Sequence, residues 1–329
     1  MSVLAVTMGD PAGIGPEIAL KALRNRLLFP AHRLYVVGDA GVLHARAKLL
    51  HIECNINSIS HPSEITDDAV NVVSVGSITP ENYQTGSVSA LCGAVSYNYI
   101  LEAIRHAREH MCDGIVTCPI NKAALKAAGV SYPGHTEMLA HETGTRRFAM
   151  MFQLENVSVV HVTTHCSVRE ALELINRERV GASIELLHDA LLSVGIAQPR
   201  LAVAGLNPHA GEGGIFGREE IDHVIPAIEN ARCKGFNITG PLPPDAVFMS
   251  AFAGKYDGVV AMLHDHGFVA LKSRDFSSAV NITLGLPIVR TSPGHGTAFD
   301  IAGKGIASEK GLIHAIQAAV KLVHTMRRK

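Results

Sequence analysis

Short, continuously apolar runs alternate with longer stretches of helical periodicity along most of the chain. Residues 3–7, 114–117 and 258–263 are runs of this kind, which is typical of parallel strands buried on both faces. Residues 90–110 and 311–326 instead follow the apolar pattern of helices. This alternation predicts an α/β protein built on mostly parallel sheets.

The same pattern predicts further elements between these runs. Strands are expected at 33–37, 148–152, 157–162 and 200–204, and helices at 16–23, 40–50, 138–143, 168–175, 179–194 and 221–234. Residues 52–75 are polar and irregular with short β pieces, and residues 240–245 are expected to form a proline-rich turn.

The length of the chain, 329 residues, suggests two domains at roughly 150 residues each. The character of the sequence changes near residue 126. We therefore expect one α/β domain formed by residues 1–125 together with 271–329. A second α/β domain is expected at residues 126–270.

Composition and charge exclude several functional classes. The chain has 29 basic and 30 acidic residues and a net charge of −1, so no global field attracts nucleic acid or an acidic membrane. No apolar run reaches the length of a membrane span, and the first residues do not form a secretion signal. Six cysteines occur without a Cys-x-x-Cys pair, which indicates reduced thiols. We expect a soluble cytoplasmic protein whose basic end, residues 327–329, is a solvated helix terminus.

A glycine-rich turn at residues 9–16 leads from the first strand into the first helix. The backbone N–H groups at such a helix N-terminus can bind anions. The segment matches neither the dinucleotide fingerprint G-x-G-x-x-G nor a Walker loop. A tight turn into a helix therefore remains the alternative to an anion site.

Three of the apolar strands are followed by a histidine: His165, His209 and His264. Ligands of open α/β sheets bind beyond the carboxyl ends of the strands, and three imidazoles with one open position form a typical catalytic metal site. The pattern predicts a divalent metal site, with solvated loop histidines as the alternative. His161 is expected in the core because strand alternation turns it away from its neighbours. Glu212 and His266 have no assigned role.

Three polar residues lie at the ends of apolar runs nearer the C-terminus: Lys272, Asn281 and Arg290. An arginine binds carboxylate or phosphate through two parallel hydrogen bonds, and a lysine acts as a point charge. The three residues therefore suit an anionic substrate. The alternative for each is a surface side chain that reaches into solvent.

The two ends of the chain resemble the β-decarboxylating dehydrogenases of isocitrate and isopropylmalate. The resemblance is carried by the turn at 9–17 and by the sequence HGTAFDIAGK at 295–304. It implies that the loop 294–304 binds a nicotinamide dinucleotide, NAD or NADP, through His295, Gly296, Thr297 and Asp300. Those dehydrogenases bind their metal with carboxylates, whereas this chain offers histidines.

A closer resemblance, over essentially the whole chain, is to the 4-hydroxythreonine-4-phosphate dehydrogenase family of pyridoxal phosphate biosynthesis. Five motifs in order carry it: GDPAGIGP at 9–16, PGHTE at 133–137, GLNPHAGE at 205–212, LHD at 263–265 and VNITLGLP at 280–287. It implies a two-domain fold like that of isocitrate and isopropylmalate dehydrogenases, with an interdomain cleft. It also implies a homodimer whose active site lies at the subunit interface.

The resemblance assigns roles to individual residues. A divalent metal (zinc, or else magnesium, cobalt or manganese) would be bound, with one ligand from the partner chain, by His165, His209 and His264. The phosphorylated substrate would be contacted by His135, Thr136, Lys272, Asn281 and Arg290. A base would remove the hydroxyl proton, and both Lys272 and Asp245 are candidates.

The implied reaction is the oxidation and decarboxylation of a 4-phosphorylated four-carbon hydroxy acid, with 4-hydroxy-L-threonine 4-phosphate as the substrate. Residues 121–125 and 132–134 are closer to paralogues that oxidise D-threonate or D-erythronate 4-phosphate to dihydroxyacetone phosphate, and His266 stands where the family usually has glutamine. Two other classes remain open. They are a metal-dependent lyase or aldolase acting on a phosphorylated sugar acid, and a non-catalytic metabolite-binding protein.

Overall fold

Twelve strands lie within residues 1–76, 78–132 and 134–326, which are the residues that this computed structural model describes. They are β1 (Val3–Thr7), β2 (Arg33–Gly38), β3 (Asn55–Ile59), β4 (Ala69–Ser74), β5 (Gly114–Thr117), β6 (Ala149–Leu154), β7 (Val157–His161), β8 (Arg200–Ala204), β9 (Asn237–Leu242), β10 (Gly258–Ala261), β11 (Val280–Leu284) and β12 (Val289–Pro293). Pro133 of the PGHTE motif and the predicted basic helix terminus at 327–329 lie outside the described residues.

Eleven α-helices occur in the same ranges: α1 (Gly15–Leu23), α2 (Ala40–Leu49), α3 (Ala90–Arg108), α4 (Lys122–Ala127), α5 (His135–Glu142), α6 (Val168–Leu174), α7 (Arg177–Ser193), α8 (Ile225–Cys233), α9 (Pro244–Phe252), α10 (His264–Lys272) and α11 (Lys310–Met326). Their starts follow ordinary capping chemistry. Asp39, Ser89 and Asn121 accept hydrogen bonds from the first-turn N–H groups of α2, α3 and α4. Pro16 occupies the first turn of α1, where a missing N–H costs nothing.

The chain divides into two compact units. The first unit comprises Met1–Thr145 and Leu286–Arg328, and the second comprises Arg146–Gly285. The domain boundaries predicted near residues 126 and 271 refer to parts of the chain that fold independently. These boundaries remain a prediction.

The first unit contains a sheet of six strands in the order β3-β4-β2-β1-β5-β12, and all its neighbouring strands are parallel. Strands β2 and β5 are buried almost throughout, as their continuously apolar sequences predicted. Helices α3 and α11 pack against this sheet. The carboxyl ends of β1, β5 and β12 therefore lie next to one another.

The second unit contains a sheet in the order β11-β6-β7-β10-β8-β9. Strands β7, β10, β8 and β9 run parallel, whereas β6 is antiparallel to both of its neighbours. The core of the second unit is a cluster of buried apolar side chains that includes Phe152, Val159, Val259 and Phe268. The carboxyl ends of β7, β10 and β8 are adjacent, so the segments that follow these three strands begin at the same end of the sheet. The predicted α/β class with mostly parallel sheets is confirmed.

Two segments that were expected to be irregular contain strands. The expected turn at 240–245 is wrong, because Gly240 and Pro241 lie within β9. That strand tolerates a proline because it is at the edge of its sheet, where pairing does not need every N–H group. The polar segment 52–75 contains β3 and β4, and five of the six residues of β4 are buried.

A polar first turn made the start of one helix too late in the prediction, and another polar first turn hid a second helix from the sequence pattern. Helix α5 begins three residues earlier than expected, at His135, and α10 begins at His264, so the apolar run at 269–271 is helical. Helices α4 and α9 were not predicted. A π-helical turn, Glu220–Val224, precedes α8 where one continuous helix was expected. Arg290 lies inside β12 and does not end the run before it.

The cysteine thiols are free at all six positions, as expected. Among the described residues, none of the helices has both the length and the apolar character needed to cross a membrane.

Candidate functional site

The three strand-end histidines all lie at the same end of the second unit's sheet. His165 lies four residues past β7, His209 lies five residues past β8, and His264 opens the helix α10 just after β10. Since β7, β10 and β8 are neighbouring parallel strands, the segments that carry these histidines start side by side. This edge of an α/β sheet is where ligands bind.

His165 and His264 line one pocket of about 260 Å³, together with Thr163, Cys166 and Asp265. The centroids of the two imidazole rings are 6.1 Å apart. Nδ1 of His264 lies 2.7 Å from Oδ1 of Asp265. This hydrogen bond, followed by the charge of the imidazole, lowers the pKa of Asp265. A carboxylate on Nδ1 fixes the orientation of the ring and leaves Nε2 for another ligand.

His209 has the same kind of partner, because its Nδ1 lies 3.0 Å from Oε2 of Glu212. Glu212, which had no assigned role from the sequence, is thus a partner of the His209 ring. The loop that carries both residues is left-handed, with φ between 45° and 80° at every residue from His209 to Gly213. Glycine adopts such angles readily, whereas His209 and Glu212 adopt them only when neighbouring contacts hold them there.

The chemistry of these side chains fits a divalent ion. Imidazole suits zinc, cobalt and related ions, and His209 and His264 each have Nδ1 occupied by a carboxylate, as metal-ligating histidines usually do. Within residues 1–76, 78–132 and 134–326 no three or more His, Cys, Asp or Glu side chains converge on one point suitable for a metal. The three-histidine site therefore stays a prediction.

An aromatic stack lies beside His264. The ring of Phe268 stacks on His264 with centroids 4.2 Å apart and on His161 with centroids 5.0 Å apart. His161 is buried, as predicted for a core histidine, and burial followed by the charge of His264 lowers its pKa to about 3. Lys272 Nζ lies 5.4 Å from the centre of the Phe268 ring. Helix α10 thus carries both His264 and the exposed Lys272, whereas Asp245 is an exposed residue in the first turn of α9.

The first unit contains a buried cationic side chain, that of Arg290. Arg290 in β12 is only 1 % exposed, and its Nε and Nη2 lie 3.2 and 2.7 Å from Oγ1 of Thr117, the last residue of β5. Burial lowers the pKa of Arg290 to about 9, and the negative charge of Glu137 partly opposes this shift. A guanidinium can bind a carboxylate or phosphate through two parallel hydrogen bonds, so Arg290 suits an anionic ligand.

His135 and Thr136 lie in the first turn of α5, and Thr136 is buried. Nε2 of His135 is buried and has no hydrogen-bond partner among the residues described. Burial, and then the charges of Arg290 and Lys122, lower the pKa of His135 well below its usual value. The imidazole is therefore neutral at pH 7, and one ring nitrogen can donate to an oxygen of a ligand. In the second unit, Asn281 of β11 likewise has a buried Oδ1 without a partner in the described ranges.

The two glycine-rich motifs at opposite ends of the chain meet in the first unit. Ile14 N donates to Thr297 O at 3.0 Å. A Cβ on Gly13 would lie 3.1 Å from Cβ of Thr297, so glycine permits this close approach. His295 Nδ1 lies 3.1 Å from Gly296 O, and Asp300 is exposed. The loop predicted to bind the dinucleotide therefore packs on the helix-starting turn.

The family model described as "Pyridoxal phosphate biosynthetic protein PdxA" matches residues 31–319. The chain belongs to the PdxA family. It is 48 % identical over 322 residues to the 4-hydroxythreonine-4-phosphate dehydrogenase of Beijerinckia indica. The match covers 97 % of this chain and 94 % of that protein. It is 42 % identical over 325 residues to the D-threonate 4-phosphate dehydrogenase of Cupriavidus necator, which covers 98 % and 97 %.

Solved structures agree with the assignment to the PdxA family. The 4-hydroxythreonine-4-phosphate dehydrogenase of Klebsiella pneumoniae matches with a TM-score of 0.87 and 44 % identity, covering 98 % of this chain and 100 % of that one. The isocitrate dehydrogenase of Methylococcus capsulatus has a TM-score of 0.50 and 13 % identity, covering 100 % and 88 %. The second likeness concerns the fold alone, and it confirms the predicted isocitrate dehydrogenase-like architecture.

Sequence reasoning missed two residues that this PdxA-family chain places against the histidines. Phe268 supports His264 through stacking, and Glu220 is buried beside the loop that carries His209. The sequence gives no sign of either contact, because Phe268 lies in a helix that was not predicted and Glu220 follows Arg218 and Glu219 in a charged run.

Proposed function

We propose that the chain is a metal-dependent, NAD(P)-linked dehydrogenase that oxidises and decarboxylates a 4-phosphorylated four-carbon hydroxy acid. The observation that carries the proposal is the buried Arg290 together with the buried Nε2 of His135, whose pKa the charge of Arg290 helps to lower. The relatives of the chain are named as dehydrogenases of such phosphorylated acids. A guanidinium and a neutral imidazole can both donate hydrogen bonds to an oxyanion.

The proposed metal ligands are His165, His209 and His264, with one of them supplied by the partner subunit of a homodimer. Support comes from their common position after adjacent parallel strands and from the carboxylates on Nδ1 of His209 and His264. The proposed dinucleotide-binding residues are His295, Gly296, Thr297 and Asp300. Support for these comes from the packing of Thr297 on the turn that starts α1.

The cofactors supply the parts of the reaction that side chains cannot. His165, His209 and His264 would hold a divalent ion that would supply Lewis-acid chemistry at the substrate hydroxyl, and the loop 294–304 would hold a nicotinamide that would supply a hydride acceptor. Arg290 and His135 orient the anionic groups of the substrate, and Thr136 and Asn281 add neutral hydrogen bonds. Loss of carbon dioxide follows because the carboxylate is then β to a ketone.

Lys272 is the base that we favour for the hydroxyl proton. Its Nζ lies over the Phe268 ring that stacks on His264, which keeps the amine close to a proposed metal ligand. Asp245 remains the second candidate. A base must reach the proton that it removes within hydrogen-bond distance in a plausible substrate pose, and Lys272 shares a helix with a proposed metal ligand.

Two substrates are candidates. The first is 4-hydroxy-L-threonine 4-phosphate, on which the relative from B. indica is named to act. The second is D-threonate 4-phosphate, named for the relative from C. necator, and it would give dihydroxyacetone phosphate. The two acids differ at C2, which carries an amino group in the first and a hydroxyl in the second.

The experiment that tests the function is an assay of reduced-nicotinamide absorbance. Purified protein is given NAD or NADP with each acid and with D-erythronate 4-phosphate. The proposal expects absorbance to rise with one acid and carbon dioxide to be released in equal amount. Cleavage of an acid without reduction of the dinucleotide would instead indicate the lyase or aldolase class, and binding without turnover would indicate a metabolite-binding protein.

A further inference from the structure

Glu220 is a buried acid that underlies the loop carrying His209. Its side chain is 2 % exposed, and it opens the π-helical turn Glu220–Val224. Oε1 accepts hydrogen bonds from the backbone N–H groups of Leu206 at 2.8 Å and Asn207 at 2.7 Å. Oε2 accepts one from Nδ2 of Asn207 at 2.9 Å. Three donors therefore compensate the buried carboxylate, and all three belong to the segment just before His209.

Glycines let the carboxylate approach the loop so closely. A Cβ on Gly211 would lie 2.7 Å from Oε2 of Glu220, and a Cβ on Gly205 would lie 3.2 Å from its Oε1. The same Cβ on Gly205 would lie 2.7 Å from Cα of Ala210. The entrance and the middle of the loop are thus both packed against one carboxylate.

The left-handed backbone from His209 to Gly213 needs such support. His209, Ala210 and Glu212 have positive φ, a conformation that residues with a Cβ adopt only when surrounding contacts favour it. The hydrogen bonds to Leu206 and Asn207 fix the point at which the chain enters this turn. Without them the imidazole of His209 would sample several positions.

We infer that Glu220 is a positioning residue that fixes the His209 loop and thereby sets the affinity of the proposed site for a divalent metal. The inference rests on the proposed function, because it takes His209 as a metal ligand. Glu220 itself does not touch the metal. Glu212 holds the ring of His209 from one side, and Glu220 holds the backbone that carries it.

The test measures the affinity of metal-free full-length protein for Co²⁺ by titration calorimetry, with no substrate present. The variants are Glu220→Gln, which keeps the shape but removes the charge, and Glu220→Ala. The matched control is Glu219→Gln, because Glu219 also accepts from Nδ2 of Asn207, at 2.8 Å, but bonds neither backbone N–H group. NAD affinity and far-ultraviolet circular dichroism report whether the rest of the chain is intact.

Glu220→Ala should weaken Co²⁺ binding about 10-fold or more, as removal of groups that orient metal ligands usually does. Glu220→Gln should weaken it in the same direction by less, and Glu219→Gln should leave it unchanged. If Glu220→Ala does not fold, Glu220→Gln alone decides.

Wild-type affinity in a folded Glu220→Gln variant would overturn the inference, and so would an equal loss in Glu219→Gln. A wild-type protein that binds no Co²⁺ would instead overturn the metal site of the proposed function. The two failures are therefore distinguishable. A loss of Co²⁺ affinity confined to the Glu220 variants is the result expected.

Discussion

Arg290 Nη2 lies 2.7 Å from Oγ1 of Thr117, across the neighbouring parallel strands β12 and β5. The contact holds a fully buried guanidinium in a fixed position at the carboxyl end of the first unit's sheet. Its orientation is set before any ligand arrives, so little conformational entropy is lost when an anion binds.

Arg290→Lys should lower kcat/KM for the phosphorylated acid by about 10- to 100-fold, corresponding to about 1.5–3 kcal/mol for a hydrogen bond to a charged group. Lysine keeps the charge but cannot form two parallel hydrogen bonds with an oxyanion. Steady-state kinetics measure the change. Arg274→Lys is the control, since Arg274 is exposed and paired with Glu155. Equal kinetics for Arg290→Lys and the wild type would remove Arg290 from the substrate site.

His135 should remain neutral well below pH 6.5, because burial and the charges of Arg290 and Lys122 depress its pKa. The unfolded chain therefore takes up this proton first as the pH falls. The stability that neutral His135 contributes is complete above about pH 6.5 and is lost as the pH falls through the window between that value and the native pKa. Imidazole nitrogen shifts, assigned with His135→Gln, measure the protonation state. A midpoint near 6.5 would contradict the burial argument.

Lys272→Met should lower kcat by about 10²- to 10⁴-fold, the usual contribution of a general base. Steady-state kinetics with saturating substrate measure the change. Asp245→Asn should keep most of the activity. The opposite pattern, with kcat lost only in Asp245→Asn, would assign the base to Asp245.

If one metal ligand comes from the partner subunit, pairs of inactive variants should complement each other. His165→Ala, His209→Ala and His264→Ala are co-expressed in pairs with separable tags. Two of the three pairings should recover about a quarter of wild-type turnover, because half of the dimers are mixed and each mixed dimer has one intact site. The third pairing should recover none. Recovery in no pairing would place all three ligands in one chain.

Hydrophobic patterning was sufficient to predict the strands that organise each sheet. The runs in β1, β5 and β10 are continuously apolar and buried, so their sequence alone indicates parallel strands. For the same reason, the sequence was sufficient to predict that a histidine follows each of three such strands: His165, His209 and His264. Their common edge follows from the order β7-β10-β8, which depends on long-range pairing and is not encoded in any local pattern.

Features that depend on tertiary contacts could not be predicted from the sequence. Helices α5 and α10 begin with polar residues, so apolar periodicity starts too late to mark where they begin. Glu220 looks like a solvated acid in sequence, and only the folded loop reveals its three donors. The buried state of Arg290 likewise results from packing, since an arginine in a strand is usually exposed.

The central claim, that the proposed histidine site holds a metal needed for dehydrogenation, is tested most directly by chelation. Reduced-nicotinamide absorbance is followed with the preferred acid before exhaustive chelation, after it, and after Co²⁺ or Zn²⁺ is restored. Turnover should disappear with the metal and return with it, and His209→Ala should lack both metal and turnover. Full activity in protein shown to be free of metal would contradict the account.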